Sequence, residues 1–135
     1  MTRKIKKNWV YAIGRRRTAT ARVRLFRGGS QHLVNNKPIG EYFPGVANEI
    51  LWKKPFEVTG TIGKYYVTVR TLGGGKKGQL GAVVHGIART LNLANEKFRA
   101  PLKAEGLLTR DPRTRERRKI GTGGKARRKK QSPKR

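Results

Sequence analysis

This 135-residue sequence predicts a single α+β domain with a basic segment at each end. Three observations lead there. Apolar residues alternate with period two over 20–26, the mark of a half-buried strand. They recur at i, i+3, i+4 and i+7 from Leu80, the stripe of an amphipathic helix. The formal net charge of +27 is concentrated towards the two ends.

Along the chain, the apolar run Trp9 to Ile13 predicts a first strand, interrupted by Arg15-Arg16-Arg17. From Thr20 to Phe26, Ala21, Val23 and Leu25 point one way and Arg22 and Arg24 the other, giving a strand with a basic face. Gly28-Gly29-Ser30 is a turn signal, and His32-Leu33-Val34 is expected to return against the preceding strand as a hairpin. Asn35-Asn36-Lys37-Pro38 is a second turn. Val46 to Lys54 is expected to be a short helix, with Val46, Ile50 and Leu51 at helical spacing and Pro55 ending it. Phe56 to Thr59 and Tyr65 to Leu72 then form two strands around the turn 60–64. Leu80, Val83, Val84, Ile87, Ala88 and Leu91 share one face of the clearest helix, and a further helix is expected from Glu96 to Glu105. A hundred or so residues of this kind can bury one core. The expected organisation is an N-terminal basic extension over 1–8, an α+β domain over 9–109 and an extended basic tail over 110–135.

The charge partition points to the ligand class. Residues 1–27 hold ten Lys or Arg and no acid, 28–109 hold eleven against five acids, and 110–135 hold thirteen against two. Self-repulsion on this scale opposes compactness unless a polyanion neutralises it. Beyond Leu108 the one large aliphatic side chain is Ile120, worth about 1.5–3 kcal/mol of burial. Ordering costs about 1–2 kcal/mol for every residue. The tail is therefore expected to be unfolded when free and to order on its partner. No stretch approaches the roughly 20 apolar residues of a spanning helix. No apolar segment of secretory type follows the basic start. The sequence has no cysteine, and His32 and His85 lack partners at metal-ligand spacing, so neither a thiolate site nor a metal is expected.

Gly73-Gly74-Gly75-Lys76-Lys77-Gly78 fits the string G-x-G-x-x-G between a strand and a helix. A dinucleotide site would also need an acid about 20 residues on, at the end of a second strand. Glu96 has that separation but lies among helical segments, and Lys77 is followed by Gly78 rather than the Ser or Thr of a P-loop. The phosphate chemistry of such a loop survives, because glycines let backbone N–H groups approach an anion at a helix N-terminus. Arg15-Arg16-Arg17 adds guanidinium forks suited to phosphate, with no acid nearby. The seven acids are scattered singly, which gives no catalytic constellation, and no enzyme or cofactor is expected.

In order along the chain, Gly14-Arg15-Arg16-Arg17, Ala21-Arg22-Val23-Arg24-Leu25, Glu41-Tyr42-Phe43, Gly73 to Gln79, His85-Gly86-Ile87-Ala88-Arg89, Leu108-Thr109-Arg110-Asp111, Glu116-Arg117-Arg118-Lys119 and Lys125-Ala126-Arg127-Arg128 resemble the motifs of the bacterial-type small-subunit ribosomal protein S9 family. So does the final pair Lys134-Arg135. The resemblance runs from about Trp9 to the last residue. It implies an α+β fold of the ribosomal S5 domain-2-like type, bound to ribosomal RNA in the head of the small subunit beside neighbouring head proteins. It also implies a tail reaching the peptidyl-site transfer RNA and a cytoplasmic location within that subunit, with an organelle ribosome as the alternative. The family commonly ends in aromatic-Ser-Lys-Arg after a Gln, whereas here Gln131 precedes Ser132-Pro133-Lys134-Arg135, so the aromatic is lost. The residues expected on ribosomal RNA are Arg15, Arg16, Arg17, Arg22, Arg24, Lys76, Lys77, Gln79, Arg110, Arg113, Arg115, Arg117, Arg118, Lys119, Lys125, Arg127 and Arg128. Lys134 and Arg135 are expected on transfer RNA. A free DNA binder and a nucleotide-dependent enzyme are the rival readings.

Overall fold

The computed structural model describes residues 9–109; the expectations for 1–8 and 110–135 lie outside the described residues. Five strands form one sheet in the order β1-β2-β5-β3-β4. They are β1 (Trp9–Arg16), β2 (Ala19–Arg27), β3 (Leu33–Val34), β4 (Lys37–Pro38) and β5 (Tyr65–Leu72). The helices are α1 (Ile39–Tyr42), α2 (Val46–Thr59), α3 (Lys76–Ala94) and α4 (Arg99–Ala104), with a 3-10 turn at Glu96–Phe98. The long strands β1, β2 and β5 are antiparallel neighbours, whereas β3 joins β5 in parallel. The predicted alternation in β2 holds: Ala21, Val23 and Leu25 are buried and Arg22 and Arg24 exposed. The stripe of α3 holds too, with Leu80, Val83, Ile87, Ala88 and Leu91 in the core.

Four expectations are corrected. The arginine cluster does not interrupt the first strand: β1 runs on through Arg15 and Arg16, paired with Thr20 and Ala19, and the turn falls at Arg17-Thr18. The segment 32–34 does not return on β2, because both edges of β2 are taken by β1 and β5; β3 pairs with β5 and β4 instead. Asn35 makes that placement possible. At φ 50° it turns the chain, and its side chain both accepts from the Thr71 N–H (3.0 Å) and donates to the Thr71 carbonyl (3.1 Å), continuing the ladder where β3 stops. The predicted helix 96–105 is divided into the 3-10 turn and α4, with Asn95 capping the turn through the Lys97 N–H.

The largest correction concerns α2. Pro55 lies inside this helix rather than at its end, and Phe56 to Thr59 is helical rather than a strand. Proline removes one backbone donor. The helix continues because Trp52, Pro55 and Phe56, at i, i+3 and i+4, form its buried face. The helix stops at Gly60, whose left-handed φ of 65° closes the end, with the Gly60 N–H reaching Glu57 and the Thr61 N–H reaching Phe56. Val46, Ile50 and Leu51, which stand at helical spacing, are 73%, 60% and 49% exposed.

His32 packs between these elements, stacked on Phe56 with ring centroids 4.9 Å apart. Its Nδ1 accepts from the Val67 N–H at 3.2 Å, which requires an unprotonated nitrogen there. Burial, and secondly the Lys53 ammonium, lower its pKa below the ordinary 6.5. With the folded value depressed, the unfolded chain binds the extra proton first, so stability falls as pH drops below about 6.5. The unfolding midpoint is expected to decline from pH 7.5 to 5.5, and H32F is expected to show a shallower decline. Equal slopes in the two proteins would remove His32 as the cause.

Candidate nucleic-acid interface

The geometry begins where β1 crosses α3. A Cβ built on Gly14 would lie 1.9 Å from the Ala82 carbonyl oxygen and 2.3 Å from the Gly86 nitrogen, so strand and helix touch backbone to backbone. Around this crossing Arg89 donates to the Ile13 carbonyl, and the Arg15 N–H donates to His85 Nδ1 at 3.4 Å. His85 Nε2 lies 3.2 Å from the Leu108 carbonyl. A neutral imidazole protonated on Nε2 satisfies both contacts, which makes His85 a structural bridge. It ties the end of β1 to the segment from which the chain passes to residue 110.

The glycine loop meets the β1–β2 turn. Gly73 and Gly74 have φ of 81° and 64°, and a Cβ on Gly73 would come within 2.5 Å of the Thr18 carbonyl oxygen. Side chains hold the loop in place. Gln79 donates to the Gly73 carbonyl (3.2 Å) and accepts from the Tyr42 hydroxyl (2.6 Å), and Asn35 in turn donates to that hydroxyl (3.2 Å). Lys76 sits over Tyr42, with its ammonium 3.3 Å from the centroid of that ring. Helix α3 opens immediately after the loop, with no side chain capping its first N–H groups.

The result is a cleft of about 370 Å³ between the end of β1, the start of α3, α2 and residues 106–109. Arg15, Arg16, Arg17 and Lys77 line it, and among the described residues no Asp or Glu does. Arg16 lies along α3 over Gly81, where a Cβ would meet its Cδ at 2.2 Å. Strands β1, β2 and β5 and helix α3 contain no acid at all. All five acids of 9–109 sit on α1, α2, the 3-10 turn and the end of α4, where Glu49 pairs with Lys53 and Glu105 with Lys54 at 3.5 Å. The fold thus separates a cationic side from a charge-balanced one, which scattered acids in a sequence do not reveal.

The predicted cations form two groups. Arg15, Arg16, Arg17 and Lys77 come together at the cleft, while Arg22 and Arg24 lie on the outer face of the sheet. Lys76 and Gln79 serve the loop's own scaffold in this arrangement. Arg110, Arg113, Arg115, Arg117, Arg118, Lys119, Lys125, Arg127, Arg128, Lys134 and Arg135 lie outside the described residues. No strand among the described residues follows α3, so the glycine loop has no second βα unit with which to hold a dinucleotide.

Comparison with known proteins decides between the rival readings. The family model described as "Ribosomal protein S9/S16" matches residues 14–135. The chain belongs to this family. A curated relative from Dehalococcoides mccartyi, named "Small ribosomal subunit protein uS9", is 47% identical over 116 residues, covering 86% of this chain and 88% of the relative. Proteins of the same name from two other strains of that organism are 46% identical over the same length. A member of the S9 family is a structural ribosomal protein and not an enzyme. Two of the motifs that carry the family resemblance, Gly14 to Arg17 and His85 to Arg89, are the two sides of the β1–α3 crossing.

Proposed function

We propose that this chain is a structural constituent of the small ribosomal subunit. It binds ribosomal RNA in the subunit head, beside neighbouring head proteins, and supports translation in the cytoplasm. The observation that carries this reading is the cleft, with no acid among its described residues, where Arg15, Arg16, Arg17 and Lys77 surround the uncapped N-terminus of α3. Guanidinium forks pair bidentately with phosphate oxygens, and the helix N-terminus adds N–H donors and a favourable dipole. A structured RNA backbone supplies anions at the density this cluster needs. On this reading the domain is of the ribosomal S5 domain-2-like type.

The same reading extends to residues 110–135, which continue from Thr109 at the rim of the cleft. Their thirteen cations hold an extended tail against ribosomal RNA, releasing counterions that offset its ordering. From Arg113 to Arg135 an extended chain spans at most about 70–80 Å. Lys134 and Arg135 at its tip meet the backbone of the peptidyl-site transfer RNA. The full chain is expected to co-sediment with small subunits in preference to duplex DNA. Deleting Ser132 to Arg135 is expected to leave subunit assembly intact and to weaken peptidyl-site transfer RNA binding. Preference for DNA would overturn the ribosomal reading, and failure of the truncated chain to enter the subunit would make the tip an assembly element.

A further inference from the structure

The sheet has a second face, opposite α3. Strand register aligns its outward residues in rows: Trp9, Phe26 and Tyr66; then Tyr11, Arg24 and Thr68; then Ile13, Arg22 and Arg70. No described helix packs over Tyr11, Arg22, Arg24 and Arg70, which are all exposed. Between them runs a groove of about 750 Å³, walled by Trp9 and floored in part by Thr68. The Arg24 guanidinium lies 5.2 Å from the Trp9 ring centroid, and Phe26 and Tyr66 stack at 5.1 Å with planes 12° apart, buttressing that end. Tyr11 is 44% exposed, directly opposite Arg24 on β2 and diagonal to Arg22.

We propose that this groove is a separate site for unpaired nucleotides of single-stranded RNA. Arg22, Arg24 and Arg70 take the phosphates, and Tyr11 stacks a base. The inference deepens the RNA-binding reading and rests on it. Three features choose this occupant. The three long strands carry cations and no carboxylate, so the face complements a polyanion. Arg22 and Arg24 are two residues apart on one strand, about 6.5–7 Å, which suits successive phosphates of an extended strand. An exposed ring beside cations of the neighbouring strand offers the sequence-tolerant stacking platform of single-strand binders. A duplex hides its base faces and could use only the cations.

The test uses the full-length chain and follows the change in its tryptophan emission, Trp9 lying in the groove wall and Trp52 in the core, away from the groove. Short oligoadenylate is compared with polyphosphate and with polyglutamate. Oligoadenylate is expected to change the emission; Y11L is expected to weaken its binding about tenfold, and Y11F to restore it. Polyphosphate affinity is expected to be the same in all three proteins. The proposal is overturned if Y11L leaves oligoadenylate binding unchanged or weakens both polyanions equally. It is also overturned if polyglutamate competes as well as the oligonucleotide, or if sedimentation shows this face buried in a dimer. A wrong assignment of the cleft would show instead as unchanged ribosomal RNA affinity in R17Q/K77Q, and would leave the Tyr11 comparison interpretable.

Discussion

Replacing Gly14 by alanine is expected to destabilise the domain by about 3 kcal/mol or more, at the upper end of what overpacking costs. The new methyl carbon would lie 1.9 Å from the carbonyl oxygen of Ala82 and within 2.8 Å of both the nitrogen and Cα of Gly86. These are backbone atoms of a helix and cannot rotate aside. Strand β1 must lift off α3, and the Arg89 contact to Ile13 and the His85 contact to Arg15 loosen with it. G86A meets the same crossing from the other side, with its Cβ 2.5 Å from a methyl of Val23. That side chain can shift, so the smaller loss is expected there. G40A is the control: nothing lies within 4 Å of a Cβ at that helical position, and the change is expected to be neutral or stabilising by up to about 1 kcal/mol. Denaturant midpoints measure all three. A G14A midpoint equal to that of G40A would mean that strand and helix do not touch in solution as described.

The second large effect is expected at the cleft. In R15Q/R17Q/K77Q the dependence of ribosomal RNA affinity on salt should become shallower by about 2 on a log–log plot, since each neutralised phosphate contributes about 0.7–0.9. At low ionic strength the affinity should fall on the order of a hundredfold. Arg16 is left in place because it lies across Gly81 and helps seat β1 on α3. The midpoint of unfolding should not fall, because no carboxylate among the described residues lines this cleft to lose a partner. An unchanged salt slope would show that these side chains face solvent in the complex and that the RNA is held elsewhere.

Much of the fold was legible because period and burial agree locally. In β2 every second residue is buried, and in α3 the apolar stripe coincides with the core. The errors fell where a distant element outvoted a local signal. Pro55 signals a helix end, but Trp52 and Phe56 on either side of it complete one buried face of α2, and that burial outweighs one missing hydrogen bond. The pairing of 32–34 could not be read from the turn before it, because the edge that β2 would have offered is occupied by β5, forty residues further along. Tyr11 and Arg70 of the proposed groove carry no site signal in the sequence. Neither stands in a basic run; only the register of three strands brings them beside Arg22 and Arg24.

The sequence alone determined that the partner is a polyanion, because 34 basic residues against 7 acids demand neutralisation wherever they sit in space. It also determined the α+β class, since the periods of side-chain burial are properties of the chain itself. Only the tertiary structure decided how the cations are grouped. The contact of Gly14 with Gly86 lets β1 lie against α3, and the contact of Gly73 with Thr18 brings the glycine loop to the same corner. Together they gather Arg15, Arg16, Arg17 and Lys77, about sixty residues apart, around one cleft. Strand alternation sends Arg22 and Arg24 to the opposite face, because successive side chains of a strand point to opposite sides of the sheet and the inner side is filled by α3.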